Sequence, residues 1–227
     1  MSTKHVWLAG ATALILTSPT FAAAGNATQG DTSKDSPGVI IVEEDWFFPL
    51  RFDSITALNN ARYHYRRNEE KAAANEVDKA ISWLKYAEGH AMPVTKEKLT
   101  SAAEDLQSVS KELRAGNTIA AAHMDWSLAR ASHALAEWHY YKAKEHYGNN
   151  EAHYAAQHLE SAVSHLQNAA DSAHFEYGPD TVTVFDDVFK DGVRFSEDQT
   201  VDHNRLGKHL DTIKSAIEKV GEALNKS

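Results

Sequence analysis

The chain has 227 residues, no cysteine and a formal charge of −9 at neutral pH. That length permits one domain, or two small ones, built on an ordinary apolar core. The absence of cysteine excludes disulfide staples, thiol nucleophiles and covalent haem attachment, and the acidic balance argues against nucleic acid as a partner.

At the N-terminus Lys4 precedes an apolar run from Val6 through Leu16 and the small-residue stretch Ala22-Ala23-Ala24. This pattern predicts a secretory signal peptide over 1–24, cut after Ala24 or Ala22, and hence a periplasmic location. The run is too short to span a bilayer as a mature helix, and no cysteine follows it for lipidation, so no stable membrane anchor is expected. Residues 25–38 are rich in Gly, Ser, Thr and Asp and read as a disordered linker closed by Pro37. The remaining 39–227 reads as one helical domain. It opens on an extended arm, where Val39-Ile40-Ile41-Val42 is β-branched and Trp46-Phe47-Phe48-Pro49-Leu50 forms an apolar plug.

From Asp53 the periodicity turns helical. Leu58, Ala61 and Tyr65 share one stripe; Asn68 stands as a cap before Glu69 and Glu70; Ala73, Val77, Ala80, Leu84 and Ala87 continue at three and four spacing. A third helix is expected from Pro93–Thr95, with Thr95 as a possible cap, to Arg114, stopped by Gly116. A fourth, over about 118–147, carries the seam Met124, Leu128, Ala131, Leu135 and Trp138. A fifth, from Glu151 to about Phe175, carries Ala155, Leu159, Ala162, Leu166, Ala169 and Ala173. Between Gly178 and Asn204 the helical period fades: Thr181 to Phe185 alternates like a strand, and 186–202 is acidic and irregular. Ile213, Ile217, Val220 and Leu224 mark a last amphipathic helix.

Shifting the chain by 82 positions lays His64-Tyr65 on His146-Tyr147, Asn68-Glu69 on Asn150-Glu151, Ala73-Ala74 on Ala155-Ala156 and Leu84 on Leu166, without a gap. The pattern predicts two copies of one helical hairpin, at about 57–89 and 139–171, in an all-α bundle with an N-terminal arm and a short irregular segment before the last helix. The segment 61–72 followed by 75–80, and again 152–170, resembles the hairpins of the YfdX-like proteins, exported bacterial helical proteins associated with stress responses. That resemblance implies a helical periplasmic stress protein without established catalysis. The hairpins also share features with tetratricopeptide units, although the regular period of such arrays is missing.

Thirteen histidines are many for this length. In an antiparallel hairpin made by the fourth and fifth helices, His123, His133, His139 and His146 stand level with His174, His165, His158 and His153. Facing is a stricter condition. Helical spacing puts His139 and His146 on one stripe, and Glu151, His158 and His165 on another, so these five form the candidate cluster. Two or three of them could close on zinc or copper, for which imidazole and carboxylate are suitable ligands. Against a metal stands the absence of any histidine pair at three or four spacing on one helix and of H-E-x-x-H.

A second use of the histidines needs no ligand geometry. The leader contains Lys4 and His5, so the mature chain carries 12 histidines and a formal charge of about −10. Full protonation would bring it to about +2. A periplasmic protein meets external acid directly, so a pH-dependent change in self-association or in binding to protein partners is expected. No G-x-S-x-G, cysteine nucleophile or glycine-rich phosphate loop is present, so neither enzymatic activity nor an organic cofactor is expected.

Overall fold

The computed structural model describes residues 52–196 and 202–226. The leader, linker and aromatic arm expected over 1–50 lie outside them. The described residues form seven helices: α1 Asp53–Arg66, α2 Glu70–Gly89, α3 Pro93–Arg114, α4 Ala121–Gly148, α5 Ala152–Ala173, α6 Pro179–Ser196 and α7 His203–Asn225. No strand occurs among them, and the architecture is an all-α bundle. None of these helices is long and apolar enough to cross a membrane.

The stripes read from the sequence are the packed faces. Ala73, Val77, Ala80, Leu84 and Ala87 of α2 are fully buried, as are Ala155, Leu159, Ala162, Leu166 and Ala169 of α5. Alanine dominates these faces because a methyl group lets helix axes approach closely, and burial of many small apolar groups sums to a stable core. The 28-residue α4 is the axis of the bundle. It packs against α1, α2, α3, α5 and α7, with α5 its most extensive neighbour. Its sequence is correspondingly less one-sided, with Met124, Leu128, Ala131, Leu135 and Trp138 facing one cluster and Ala136, Tyr140 and Ala143 another.

The turns α1–α2 and α4–α5, 82 residues apart, are built by the same bonds. The amide of Glu69 donates to the His64 carbonyl at 3.0 Å, and that of Glu151 to the His146 carbonyl at 2.9 Å. Asn68 and Asn150 both take the left-handed conformation, at φ 56° and 62°. Asn68 is therefore the turn pivot rather than the helix cap expected of it, because asparagine tolerates positive φ better than other side chains. A β-branched side chain cannot, so Asn150→Val is expected to lower stability by about 1–2 kcal/mol, and Asn150→Gly to leave it nearly unchanged. Urea unfolding of the two variants reads this difference directly.

Two further expectations are corrected. Thr95 does not cap α3; Met92 occupies that position, and the Thr95 hydroxyl turns back to donate to the Met92 carbonyl. The strand expected at Thr181–Phe185 and much of the irregular segment after it are the helix α6. Its buried positions Thr181, Phe185, Val188 and Asp191 follow helical spacing. The apparent alternation arose because Val182 and Val184 fall between them, and a carboxylate in the stripe hid its continuation. Pro179 starts α6 with a preset φ, and Asp180 sits in its first turn. The last helix begins at His203, where the Asp202 carboxylate accepts from the amides of Asn204 and Arg205.

Candidate functional site: a histidine row in the α4–α5 seam

All five residues of the candidate cluster lie together in one row. At the surface, Nδ1 of His146 is 2.7 Å from Oε2 of Glu151 across the α4–α5 turn. The His146 ring stacks on His158, with centroids 5.3 Å apart and planes 12° from parallel. His158 and His139 meet nitrogen to nitrogen, Nδ1 to Nδ1 at 3.0 Å. His139 then stacks on His165 at 5.6 Å and 21°. Burial deepens along the row: Glu151 is exposed and His146 half-buried, while His158, His139 and His165 are 5%, 2% and 0% accessible.

Each link constrains protonation. The His139–His158 contact needs one Nδ1 to carry a proton and the other to offer its lone pair, so two imidazolium ions cannot keep it. Trp138 covers this pair, its ring 4.6 Å from His139 and 6.2 Å edge-on from His158. At the deep end, Nε2 of His165 shares a 3.0 Å hydrogen bond with Oγ of Ser54 on α1. Its Nδ1 is buried and has no hydrogen-bond partner among the described residues. With no countercharge against it, burial pushes the His165 imidazole down to about 3. The core holds this side chain neutral.

α1 is the cover of the deep end. Beside Ser54, Asn59 accepts from the Asn168 amide, whose oxygen accepts from Ser132 at 2.7 Å, and Arg62 donates to Ser172 at 3.2 Å. The α5 partners 165, 168 and 172 fall on one face at helical spacing, so α1 is docked by a polar stripe over a largely apolar seam. Ser54 carries no sequence signal of this role; a lone serine in a first turn is ordinarily a solvated residue.

The row does not converge on a point. Among the described residues no three histidine or carboxylate side chains are placed to hold one metal ion. The reason is the stacking: rings that lie nearly parallel aim their in-plane lone pairs along parallel lines. Only His139 and His158 bring two nitrogens together.

Other buried histidines stand apart from the row. His133, which shares the line of Trp126 and Tyr140 on α4, turns to α7, where Nε2 is 2.9 Å from the Ile217 carbonyl; burial lowers it, partly offset by that carbonyl and by Glu137. On α7, Nε2 of His209 is 3.3 Å from Oδ2 of buried Asp191, and Arg205 Nε is 3.1 Å from the same oxygen. Burial again lowers His209, against the opposing pull of Asp191. This group pins α6 to α7, and the position of His209 between Leu206 and Ile213 in the apolar stripe is the signal that could have found it. His123 and His153 are exposed, and His174 closes α5 in the left-handed conformation. Comparison of the chain with family models, curated proteins and solved structures found no match.

Proposed function

We propose that this chain is an exported, acid-responsive helical binding protein, chaperone-like in exposing an apolar seam to protein partners when the surroundings acidify. The observation that carries the reading is the row from Glu151 to His165. The Nδ1 to Nδ1 contact fails once both His139 and His158 are charged, and His165 can be protonated only if α1 leaves. The groups facing the row from neighbouring elements are Ser54 of α1, Trp138 of α4, and Glu151 and Tyr154 beside His146. Of these, Glu151 is anionic and sits at the exposed end of the row.

The matched turns support a duplicated hairpin as the origin of this device. Under the shift of 82, Ala57, Glu76 and Trp83 stand where the second hairpin has His139, His158 and His165. The first hairpin repeats the outer pair, with Nδ1 of His64 2.6 Å from Oε2 of Glu69, but has no histidine at the three inner positions. A periplasmic stress role fits the signal-peptide pattern and the charge swing of the histidines.

The test is sedimentation velocity together with binding of an apolar dye, at pH 7 and pH 5, on the mature chain and on the double variant Ser54→Ala/His165→Leu. The wild type is expected to gain dye binding and change mass in acid, and the variant to respond much less. Identical mass and dye binding of the wild type at both pH values would remove the reading.

A metal-binding function rests on one observation. Two nitrogens 3.0 Å apart, as in His139 and His158, suit neighbouring ligands of a zinc or copper ion at about 2.0–2.1 Å. With His146, Glu151 and His165 unable to join at the same point, such a site would need ligands from elsewhere. Metal analysis of the purified chain and of His139→Ala separates the two readings.

A further inference from the structure

The cradle that α1 fills has an apolar floor and a charged end. Ala57, Leu58 and Ala61 of α1 are buried in the cluster shared with α2, α3 and α4. Beside them Asn59, Arg62 and Arg66 form a polar stripe at helical spacing, turned to α5 and to the start of α4. Arg62 lies 3.2 Å from the Ser172 hydroxyl and 3.9 Å from Oδ2 of Asp171, and Arg66 is 3.4 Å from Oδ2 of Asp125. The other end of α1 sits on His165 through Ser54. Asp125 and Asp171 stand about 20 Å along their helices from His139 and His158, at about 1.5 Å rise per residue, so charge on those imidazoles is screened from the carboxylates. α1 is itself a weak occupant. It has 14 residues and no side-chain cap, and Ile55, Thr56, Asn59, Asn60 and Tyr63 are poor helix formers. A helix this short is marginal alone in water, so its helical form depends on the cradle.

We infer that this cradle is a docking site for one amphipathic helix of a partner protein, built on the pattern that α1 displays. That helix carries a stripe of small and leucine side chains and, beside its C-terminal half, two arginines one turn apart. α1 is the resident stand-in for it. The inference rests on the acid-driven release of α1 proposed above for the moment at which the cradle is vacated. Exposed ion pairs add little affinity, so the apolar stripe supplies the binding while Asp125 and Asp171 set direction and register. A helix docked the other way round would bring its arginines to His165 and leave both carboxylates empty.

The probe is a labelled, end-blocked peptide copying residues 53–67, followed by fluorescence anisotropy; a second peptide carries Arg62→Glu/Arg66→Glu. On the mature chain at pH 5 the native peptide is expected to bind saturably at about 0.1 mM or tighter, and at pH 7, where α1 holds the cradle, roughly tenfold or more weakly. The reversed peptide is expected to bind roughly tenfold or more weakly than the native one at pH 5, and Asp125→Arg/Asp171→Arg in the chain to invert that preference. Leu58→Pro/Ala61→Pro separates the docking site from the acid response, because prolines inside α1 prevent the helix at any pH. This variant is expected to keep the circular dichroism of the other helices and to bind the native peptide at pH 7. Binding there, without binding to the unaltered chain at pH 5, would remove the acid release and leave the docking site in place. The docking site is overturned if the folded proline variant does not bind the native peptide, if both peptides bind it equally, or if reversing the two aspartates leaves the preference unchanged. Loss of the other helices in the proline variant overturns it too, since α1 is then a structural member and not an exchangeable one.

Discussion

Replacing Phe185 by alanine is expected to lower the unfolding free energy by about 3–5 kcal/mol. Phe185 of α6 is a large apolar side chain only 1% accessible, within the cluster that joins α4, α5, α6 and α7. Its ring meets Tyr177 edge to face at 5.0 Å, and Tyr177 meets Phe175 in the same way at 5.1 Å. The Tyr177 hydroxyl donates to the Leu166 carbonyl at 3.2 Å, and burial raises the phenol so far that it remains a neutral donor. Truncation at Phe185 therefore opens a cavity beside an aromatic chain that holds the α5–α6 connection in place. Phe185→Leu retains most of the volume and is expected to cost about 1–2 kcal/mol. Urea unfolding at neutral pH measures both. A loss below about 1 kcal/mol for Phe185→Ala would mean that α6 does not pack as described.

The second large effect is of pH. His165 is neutral in the fold down to about pH 3, whereas the unfolded chain takes up its proton near pH 6.5. The unfolded state thus binds more protons between those limits, and stability falls as pH falls from about 6.5 towards 3, by about 1.4 kcal/mol per unit for this group. Between pH 7 and pH 5 the loss from His165 alone is about 2 kcal/mol. His133 and His209 are lowered by burial as well and act in the same direction. In Ser54→Ala/His165→Leu both polar partners are replaced by apolar groups, so stability at pH 7 is expected to stay within about 1 kcal/mol of wild type. The drop from pH 7 to pH 5 is expected to shrink by about 2 kcal/mol, read from urea midpoints at the two pH values.

The fold was legible where side-chain spacing and packing agree. The alanine and leucine stripes of α2, α4 and α5 declared their buried faces, and matched His-Tyr and Asn-Glu pairs located the two turns. It was illegible where a polar residue occupies a buried position. Asp191 and His209 are satisfied by each other and by Arg205, which is a tertiary fact with no local signature, so the stripes of α6 and early α7 looked broken. The same holds for the site. Helical geometry placed His139, His146, Glu151, His158 and His165 on facing stripes, but ring orientation decides whether five such residues converge on an ion or stack in a line. Ser54 and the α1 cover depend on contacts across more than a hundred residues.

The most direct measurement is hydrogen exchange of the mature chain at pH 7 and pH 5, corrected for the intrinsic pH dependence of exchange, comparing the α4–α5 hairpin with α1–α2 and α2–α3. Acid is predicted to lower protection along 133–168 by roughly 30-fold, the equivalent of about 2 kcal/mol, with α1 following at its contacts over His165 and the α2–α3 hairpin changing least. Equal protection of both regions at the two pH values, or a loss centred on α2–α3, would contradict a titrating core in the second hairpin.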